Sequence, residues 1–185
     1  EATEAFRDEF EDNRNGWLIG DVGDNEIDLI EDGVFKVKWS AKEASYETYG
    51  DRDFTNFIAQ LDCRVEQGGV DGACGIIFAE SAELGYYRFQ VYEDYYSLYK
   101  IEPDVDNPPM LEGDPSEIIN QGDWNFMRVV RRGDEISIYL NEELLGTIND
   151  SSFGTGYVGV STASFNEAGG VEVWFDNFTI WELPS

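Results

Sequence analysis

The chain has no histidine and few cations. Twelve Lys and Arg stand against 39 Asp and Glu in 185 residues, a formal net charge of −27. Without imidazole there is no Ser-His-Asp or Cys-His catalysis, no His-ligated zinc and no histidine acid–base chemistry. The scarcity of Lys and Arg argues against nucleic acid or an anionic membrane surface as partner, because both are held by clustered cations. The densest basic cluster is Arg128 with Arg131-Arg132. No apolar run approaches the roughly 18–20 residues of a spanning helix, so no membrane insertion is expected. The chain opens Glu1-Ala2-Thr3-Glu4, without the pattern of a signal peptide, and reads as a mature or excised domain. What is present is a core-forming composition: 42% hydrophobic and 15% aromatic residues, enough to exclude disorder despite the charge. The length fits one domain, a single β-sandwich over residues 1–185.

Cysteine is scarce too, with only Cys63 and Cys74. They flank Gly68-Gly69, a two-residue hairpin signal. If those glycines form the turn, Cys63 faces Cys74. Phe57, Leu61, Cys63 and Val65 then share one apolar face with Cys74, Ile76 and Phe78, while Ile58, Gln60, Asp62 and Arg64 occupy the other. A disulfide follows, with Cα atoms roughly 5.5 Å apart in such a register. The alternative is a pair of small buried thiols. The disulfide would imply an oxidising, extracellular or cell-surface setting.

Period-2 alternation recurs along the chain, and no segment sustains a helical pattern. It predicts strands at Phe6–Phe10, Glu26–Ile30, Val34–Trp39, Phe54–Glu66, Ala73–Ala79, Tyr86–Tyr92, Tyr95–Ile101, Asn125–Arg131, Glu135–Leu140, Leu144–Ile148, Gly156–Ser161 and Val171–Glu182. Turn signals separate them at Asp32-Gly33, Gly68-Gly69, Glu93-Asp94, Gly133-Asp134, Asn141-Glu142 and Gly169-Gly170. Short strands joined by tight turns predict an all-β, antiparallel two-sheet sandwich. Four of the five prolines fall in Glu102–Gly122, a surface loop with one helical turn expected near Pro115–Ile119. In the last strand the alternation slips at Asp176-Asn177, which predicts a β-bulge.

Several segments resemble known jelly rolls. Trp124, Met127, Val129, Gly133, Ile138-Tyr139-Leu140-Asn141 and Leu145-Gly146 resemble a hairpin of laminin-G-like and related concanavalin A-like domains. Val173-Trp174-Phe175-Asp176-Asn177-Phe178 is similar to their closing strand, and Phe6-Arg7-Asp8-Glu9-Phe10 to its opening partner. Glu31-Asp32-Gly33-Val34-Phe35 resembles secreted bacterial domains close to the 3-keto-disaccharide hydrolase group. The resemblance implies a concanavalin A-like jelly roll over essentially the whole chain. That superfamily holds lectins, glycosidases, adhesion modules and structural domains, so function must be argued from a site.

Three constellations could carry chemistry. Glu26, Asp28 and Glu31 match the E-x-D-x-x-E pattern of family-16 glycoside hydrolases, where paired carboxylates serve as nucleophile and acid/base. Glu26 and Asp28 share a strand face, and a bulge would be needed to bring in Glu31. The motif lies near the N-terminus and runs into the Asp32-Gly33 turn, which favours a solvated edge hairpin. Asp8, Glu11, Asp12 and Asp176 lie on the predicted first and last strands, which pair in many jelly rolls, and would hold a structural calcium. Six tyrosines fall between Tyr86 and Tyr99. With Tyr87, Phe89 and Val91 turned to the core, Tyr86, Arg88, Gln90 and Tyr92 face outward, joined by Tyr95, Ser97 and Tyr99. Tyr46 and Tyr49 would extend the surface. Aromatic platforms beside planar donors and acceptors suit sugar rings, although cross-strand tyrosines also simply stabilise sheets. The expectation is a non-catalytic extracellular module that binds carbohydrate, or else a surface protein. Its rivals are a family-16-like glycosidase and a structural or adhesive spacer.

Overall fold

The computed structural model describes residues 1–165 and 170–185. The described strands are β1 (Thr3–Asp8), β2 (Gly20–Gly23), β3 (Glu26–Glu31), β4 (Val34–Trp39), β5 (Glu43–Phe54), β6 (Phe57–Gln67), β7 (Gly72–Ser81), β8 (Gly85–Val91), β9 (Tyr96–Ile101), β10 (Leu111–Gly113), β11 (Asn125–Arg132), β12 (Glu135–Leu140), β13 (Glu143–Asn149), β14 (Gly156–Ser164) and β15 (Val171–Glu182). They form two antiparallel sheets. The nine-stranded sheet runs β13-β12-β11-β6-β15-β4-β3-β2, with β1 also on β15. The six-stranded sheet runs β10-β9-β8-β7-β14-β5. No helix of the described residues is long and apolar enough to cross a membrane.

Alternation packs the sandwich. Phe57, Ala59, Leu61 and Cys63 of β6 meet Ile76, Phe78, Tyr87, Phe89 and Leu98 of the facing sheet, all fully buried. Each large apolar side chain buried this way contributes roughly 1.5–3 kcal/mol. Asp32-Gly33 and Asn141-Glu142 are the expected two-residue turns, with positive φ at both positions. The bulge at Asp176-Asn177 is present. The β15–β6 register shifts between Asp176 and Thr179, and Asn177 has φ 50°. A turn forms at Pro115, whose carbonyl accepts from the Ile118 and Ile119 amides at 2.9 Å. Gly169 of the Gly169-Gly170 signal lies outside the described residues.

Two expectations are corrected. Phe54–Glu66 is not one strand. β5 lies in the six-stranded sheet and β6 in the nine-stranded one, and the chain changes sheets at Thr55-Asn56. Phe54 and Phe57 are both buried, which a continuous strand forbids for residues three apart. Gly68-Gly69 is likewise not a hairpin turn. A single 3-10 turn at Gly69–Asp71 carries the chain from β6 to β7, again across the sandwich. Each of these strands already has two ladder partners, β11 and β15 for β6, β8 and β14 for β7. The Cys63–Cys74 disulfide forms nonetheless, with Cα atoms 6.4 Å apart. It ties one sheet to the other rather than neighbours within a sheet.

Candidate functional site

The outward face of the six-stranded sheet is built row by row from its registers. One row reads Tyr46, Ser161, Gly75, Gln90, Ser97 and Glu112 from β5 to β10. The next reads Thr48, Gly159, Ile77, Arg88 and Tyr99. Arg88 and Gln90 of β8 with Ala163 and Ser164 of β14 make a floor, and the tyrosines of β8, β9 and the β8–β9 turn make a wall. Between them lies a cavity of about 430 Å³ lined by Tyr86, Arg88, Gln90, Tyr92, Tyr95, Tyr99, Phe165, Lys42 and Glu43, among others.

The wall is held by rings and hydroxyls. Tyr92 stacks on Phe165 with centroids 4.3 Å apart, and Tyr95 lies 6.3 Å from Tyr92. Tyr92 is buried, but against Ala73, Ala163 and Tyr95 on the outer face, not between the sheets. That burial pushes its hydroxyl up to about 12. Burial and a 2.7 Å hydrogen bond to Glu112 likewise raise Tyr95. Tyr46 packs on Tyr86 at 4.8 Å. The floor is less settled. Among the described residues Arg88 Nε and Gln90 Oε1 are buried without a hydrogen-bond partner, as is the hydroxyl of neighbouring Ser97. Polar atoms so placed cost free energy unless something outside the fold satisfies them.

Arg88, Gln90, Tyr92, Tyr95 and Tyr99 thus come together as expected. Tyr46 joins from the other side of the face, beside Tyr86. Tyr49 does not: three residues from Tyr46 in β5, it points the opposite way and stacks on Phe6 at 3.9 Å. Sequence reasoning missed Lys42, Glu43 and Phe165. Glu43 opens the unforeseen strand β5, and Phe165 follows β14 beyond the predicted end at Ser161.

The acidic motif is only partly assembled. Glu26 and Asp28 point between the sheets, where Ser45 of β5 hydrogen-bonds to Glu26. The third carboxylate there is Glu47 of β5, not Glu31. Glu31 sits on the opposite face of β3, 3.7 Å from Lys36, and no bulge turns it back. Burial, then Glu26 and Glu47, push Asp28 up to about 8. Burial, opposed by the Leu18 amide, pushes Glu47 up to about 7. Oδ1 of Asp28 and Oε2 of Glu47 lack hydrogen-bond partners among the described residues.

Of the four acids expected to hold calcium, Asp8 and Asp12 are engaged by other groups, and Glu11 and Asp176 lie near enough to interact. Asp8 is buried and accepts from the Phe10 amide at 2.7 Å, Asn15 at 2.6 Å and Trp17 Nε1 at 2.8 Å, fastening the first loop. Asp12 pairs with Arg14 at 2.8 Å. Glu11 lies beneath Gly33. Asp176 faces Asp62 across the bulge. Burial raises it, the Asn177 amide opposes, and Asp62, Glu9 and Glu11 add to the rise. Among the described residues no group of three or more acids or cysteines is arranged to hold a metal ion.

The fold is shared widely. A carbohydrate-binding module from Bacillus subtilis, CBM66, superposes with a TM-score of 0.68 at 21% identity, covering 89% of this chain and 94% of that one. The laminarinase catalytic domain of Thermotoga maritima MSB8 gives 0.70 at 11% identity, with both chains covered completely. The endo-β-1,3-glucanase of Pyrococcus furiosus gives 0.69 at 11%, covering 100% of this chain and 95% of that one. These likenesses establish the concanavalin A-like jelly roll. No curated protein sequence matches the chain. Residues 5–181 match one family throughout, and the chain belongs to it: the 3-keto-alpha-glucoside-1,2-lyase-like domain family.

Proposed function

We propose that the chain is a non-catalytic carbohydrate-binding module of a larger secreted or surface protein. The observation that carries this is the tyrosine-walled cavity, whose floor holds Arg88 and Gln90 with buried atoms that no described residue partners. Sugar rings stack their apolar faces on tyrosine and offer hydroxyls to such groups. The superposition on a carbohydrate-binding module supports the reading. The disulfide supports an extracellular setting.

A catalytic reading would stand on the family's description as lyase-like. Against it, the cavity lining offers one carboxylate among the described residues, Glu43. The family-16 triad is split between two faces of β3. A surface-protein partner would use the same cavity mouth. Calorimetry against an oligosaccharide panel, at high protein concentration, tests the proposal. Tyr92→Ala and Tyr99→Ala should each weaken binding by on the order of 1 kcal/mol. Glu26→Gln should leave it unchanged. Loss of turnover in Glu26→Gln with affinity retained would favour the glycosidase instead.

A further inference from the structure

We propose that a polar cluster between the sheets is a second binding site, for a primary ammonium group with a hydroxyl beside it. The registers build the cluster. On the inner face of the nine-stranded sheet, Glu26 and Asp28 of β3 pair with Trp39 and Val37 of β4. On the facing sheet, Ser45 and Glu47 of β5 pair with Thr162 and Val160 of β14. Ser45 hydrogen-bonds to Glu26 and joins the two sets across the sandwich. Glu26 and Trp39 open on a cavity of about 260 Å³, and Glu47 on another of about 450 Å³. Neither is the tyrosine cavity of the outer face.

Two independent observations point to a ligand. Eight buried side-chain polar atoms lack a hydrogen-bond partner among the described residues, and four of them are here: Asp28 Oδ1, Glu47 Oε2, Thr162 Oγ1 and Trp39 Nε1. Asp28 and Thr162 are 1% and 2% exposed, so open solvent does not meet their need. Such groups are costly to leave unpaired. The second observation is charge. Three carboxyl groups face one another, no Lys or Arg contributes to Asp28 or Glu47, and the Leu18 amide is the donor that relieves Glu47. Lys36 and Lys38 of β4 alternate to the outer face. The cavity beside Glu26 is itself acidic, with Asp21, Asp24 and Glu172 against Lys38, and draws cations in.

The open atoms define the ligand. Two carboxyl oxygens need donors, and an ammonium brings three together with the compensating charge. The indole N–H of Trp39 needs an acceptor, which an ammonium lacks and a neighbouring hydroxyl supplies. The hydroxyl of Thr162 can give or take. Among the described residues no three acids or cysteines are grouped to hold a metal ion, so an organic cation fits where a metal does not.

The test is a titration followed by calorimetry and by the indole N–H signals of the five tryptophans. The Trp39 signal is the one that Trp39→Phe removes. Ethanolamine and glucosamine carry the ammonium and the hydroxyl. Ethylamine lacks the hydroxyl, and ethylene glycol and N-acetylglucosamine lack the ammonium. At least one of the first two should move the Trp39 signal and bind about tenfold tighter than its neutral counterpart. Tighter glucosamine assigns an amino sugar, and tighter ethanolamine a free amino alcohol. Protons on Glu47 and Asp28 compete with the ammonium, and they leave as pH rises through about 7 and about 8. Ethanolamine stays protonated over that range, so its affinity should rise about tenfold between about pH 6 and 8. Asp28→Asn, checked for cooperative melting, should remove most of the binding. Trp39→Phe should erase the preference for ethanolamine over ethylamine. No binding, or equal binding of amines and neutral probes, overturns the site and leaves the open atoms to water. Amines that bind without moving the Trp39 signal, and equally well to Asp28→Asn, lie on the acidic surface and overturn it too. Neither result bears on the tyrosine cavity.

Discussion

The two outer faces of the sandwich carry similar side chains in different states. The nine-stranded sheet shows Trp174 between Lys36 and Arg64, whose charges lie 5.1 and 5.6 Å from the indole ring. It also shows Arg128 over Phe126 at 5.0 Å and within 3.2 Å of Gln60. Lys36 is further held by Asp32 at 2.8 Å. The six-stranded sheet also mixes aromatics with cations, but its central cation faces a cavity. Aromatic and basic residues together therefore do not mark a site. What marks it is whether the partners of the polar groups lie inside the protein. Cation–π contacts and ion pairs engage the cations of one face, Arg64 with Glu66 at 2.8 Å even though its Nε makes no hydrogen bond among the described residues. On the other, buried polar atoms of Arg88, Gln90 and Ser97 have no hydrogen-bond partner among the described residues.

The largest test of this contrast is the inter-sheet disulfide. Cys74 pairs in register with Val91, next to Tyr92, so the bond anchors the wall of the cavity from inside. Replacing both cysteines by alanine should lower stability by roughly 2–3 kcal/mol, from the loop-closure entropy the bond removes in the unfolded chain. Chemical denaturation measures this. If the contrast holds, sugar affinity falls as well, while the packing on Trp174, followed by its fluorescence, stays as it was. Two alkylatable thiols in the native, unreduced protein would remove the basis for both expectations.

The cysteines also show how far the residues can be read alone. Their pairing and apolar face were legible, because alternation fixes which side chains meet the core. Their geometry was not. A Gly-Gly between two strands signals a hairpin locally, and only the two partners on each strand force the chain across the sandwich instead. β5 was illegible for a related reason. Its inward side chains are Ser45, Glu47 and Tyr49, so the alternation of an edge strand beside a buried acidic cluster carries no apolar signal. Missing β5 put Tyr49 in the site with Tyr46, since the parity of a strand cannot be applied to a segment not seen as one. The β8–β9 hairpin was legible because Tyr87, Phe89, Val91 and Leu98 mark its inner face.

A second, smaller test concerns Asp28, which lies between the faces rather than on one. Its carboxyl titrates near 3.8 when unfolded and is pushed up to about 8 in the fold, chiefly by burial. The native state therefore holds a proton that the unfolded chain releases between those values. Its contribution is fully present below pH 3.8 and is lost as pH rises through about 8. Asp28→Asn should flatten this fall and raise the melting temperature at pH 8 by about 3–6 °C, equivalent to ~1–2 kcal/mol at this chain size. A wild-type and variant that melt in parallel from pH 4 to 8 would show that Asp28 is ionised throughout. Sugar binding at the outer face should not follow this titration.

A third test exchanges aromatics between the faces. Tyr99→Ala should cost about 1 kcal/mol of sugar affinity, a fivefold weakening. Trp174→Ala removes a larger ring with two cations on it, and should cost stability but no affinity. Equal losses of affinity would mean that ligand spans both faces, and the contrast drawn from unpartnered atoms would fail.

The smallest effect is expected from calcium, and it belongs to the nine-stranded face. Asp176 and Asp62 lie opposite each other at the bulge, and Glu9 and Glu11 add their charge to Asp176. Asn177 already donates to Asp62 at 2.8 Å, which relieves part of the crowding. Asp8 and Asp12 are engaged elsewhere, so an ion here would take its remaining oxygens from water and bind weakly. Millimolar calcium should raise the melting temperature by about 1–2 °C through mass action on the native state. Magnesium, which demands octahedral geometry and gives up water reluctantly, should do less. Asp176→Asn should remove the rise, whereas Tyr99→Ala should leave it intact, because that residue lies on the other sheet. Identical melting curves in calcium and in chelator would end the calcium expectation and leave the bulge as a structural feature of β15.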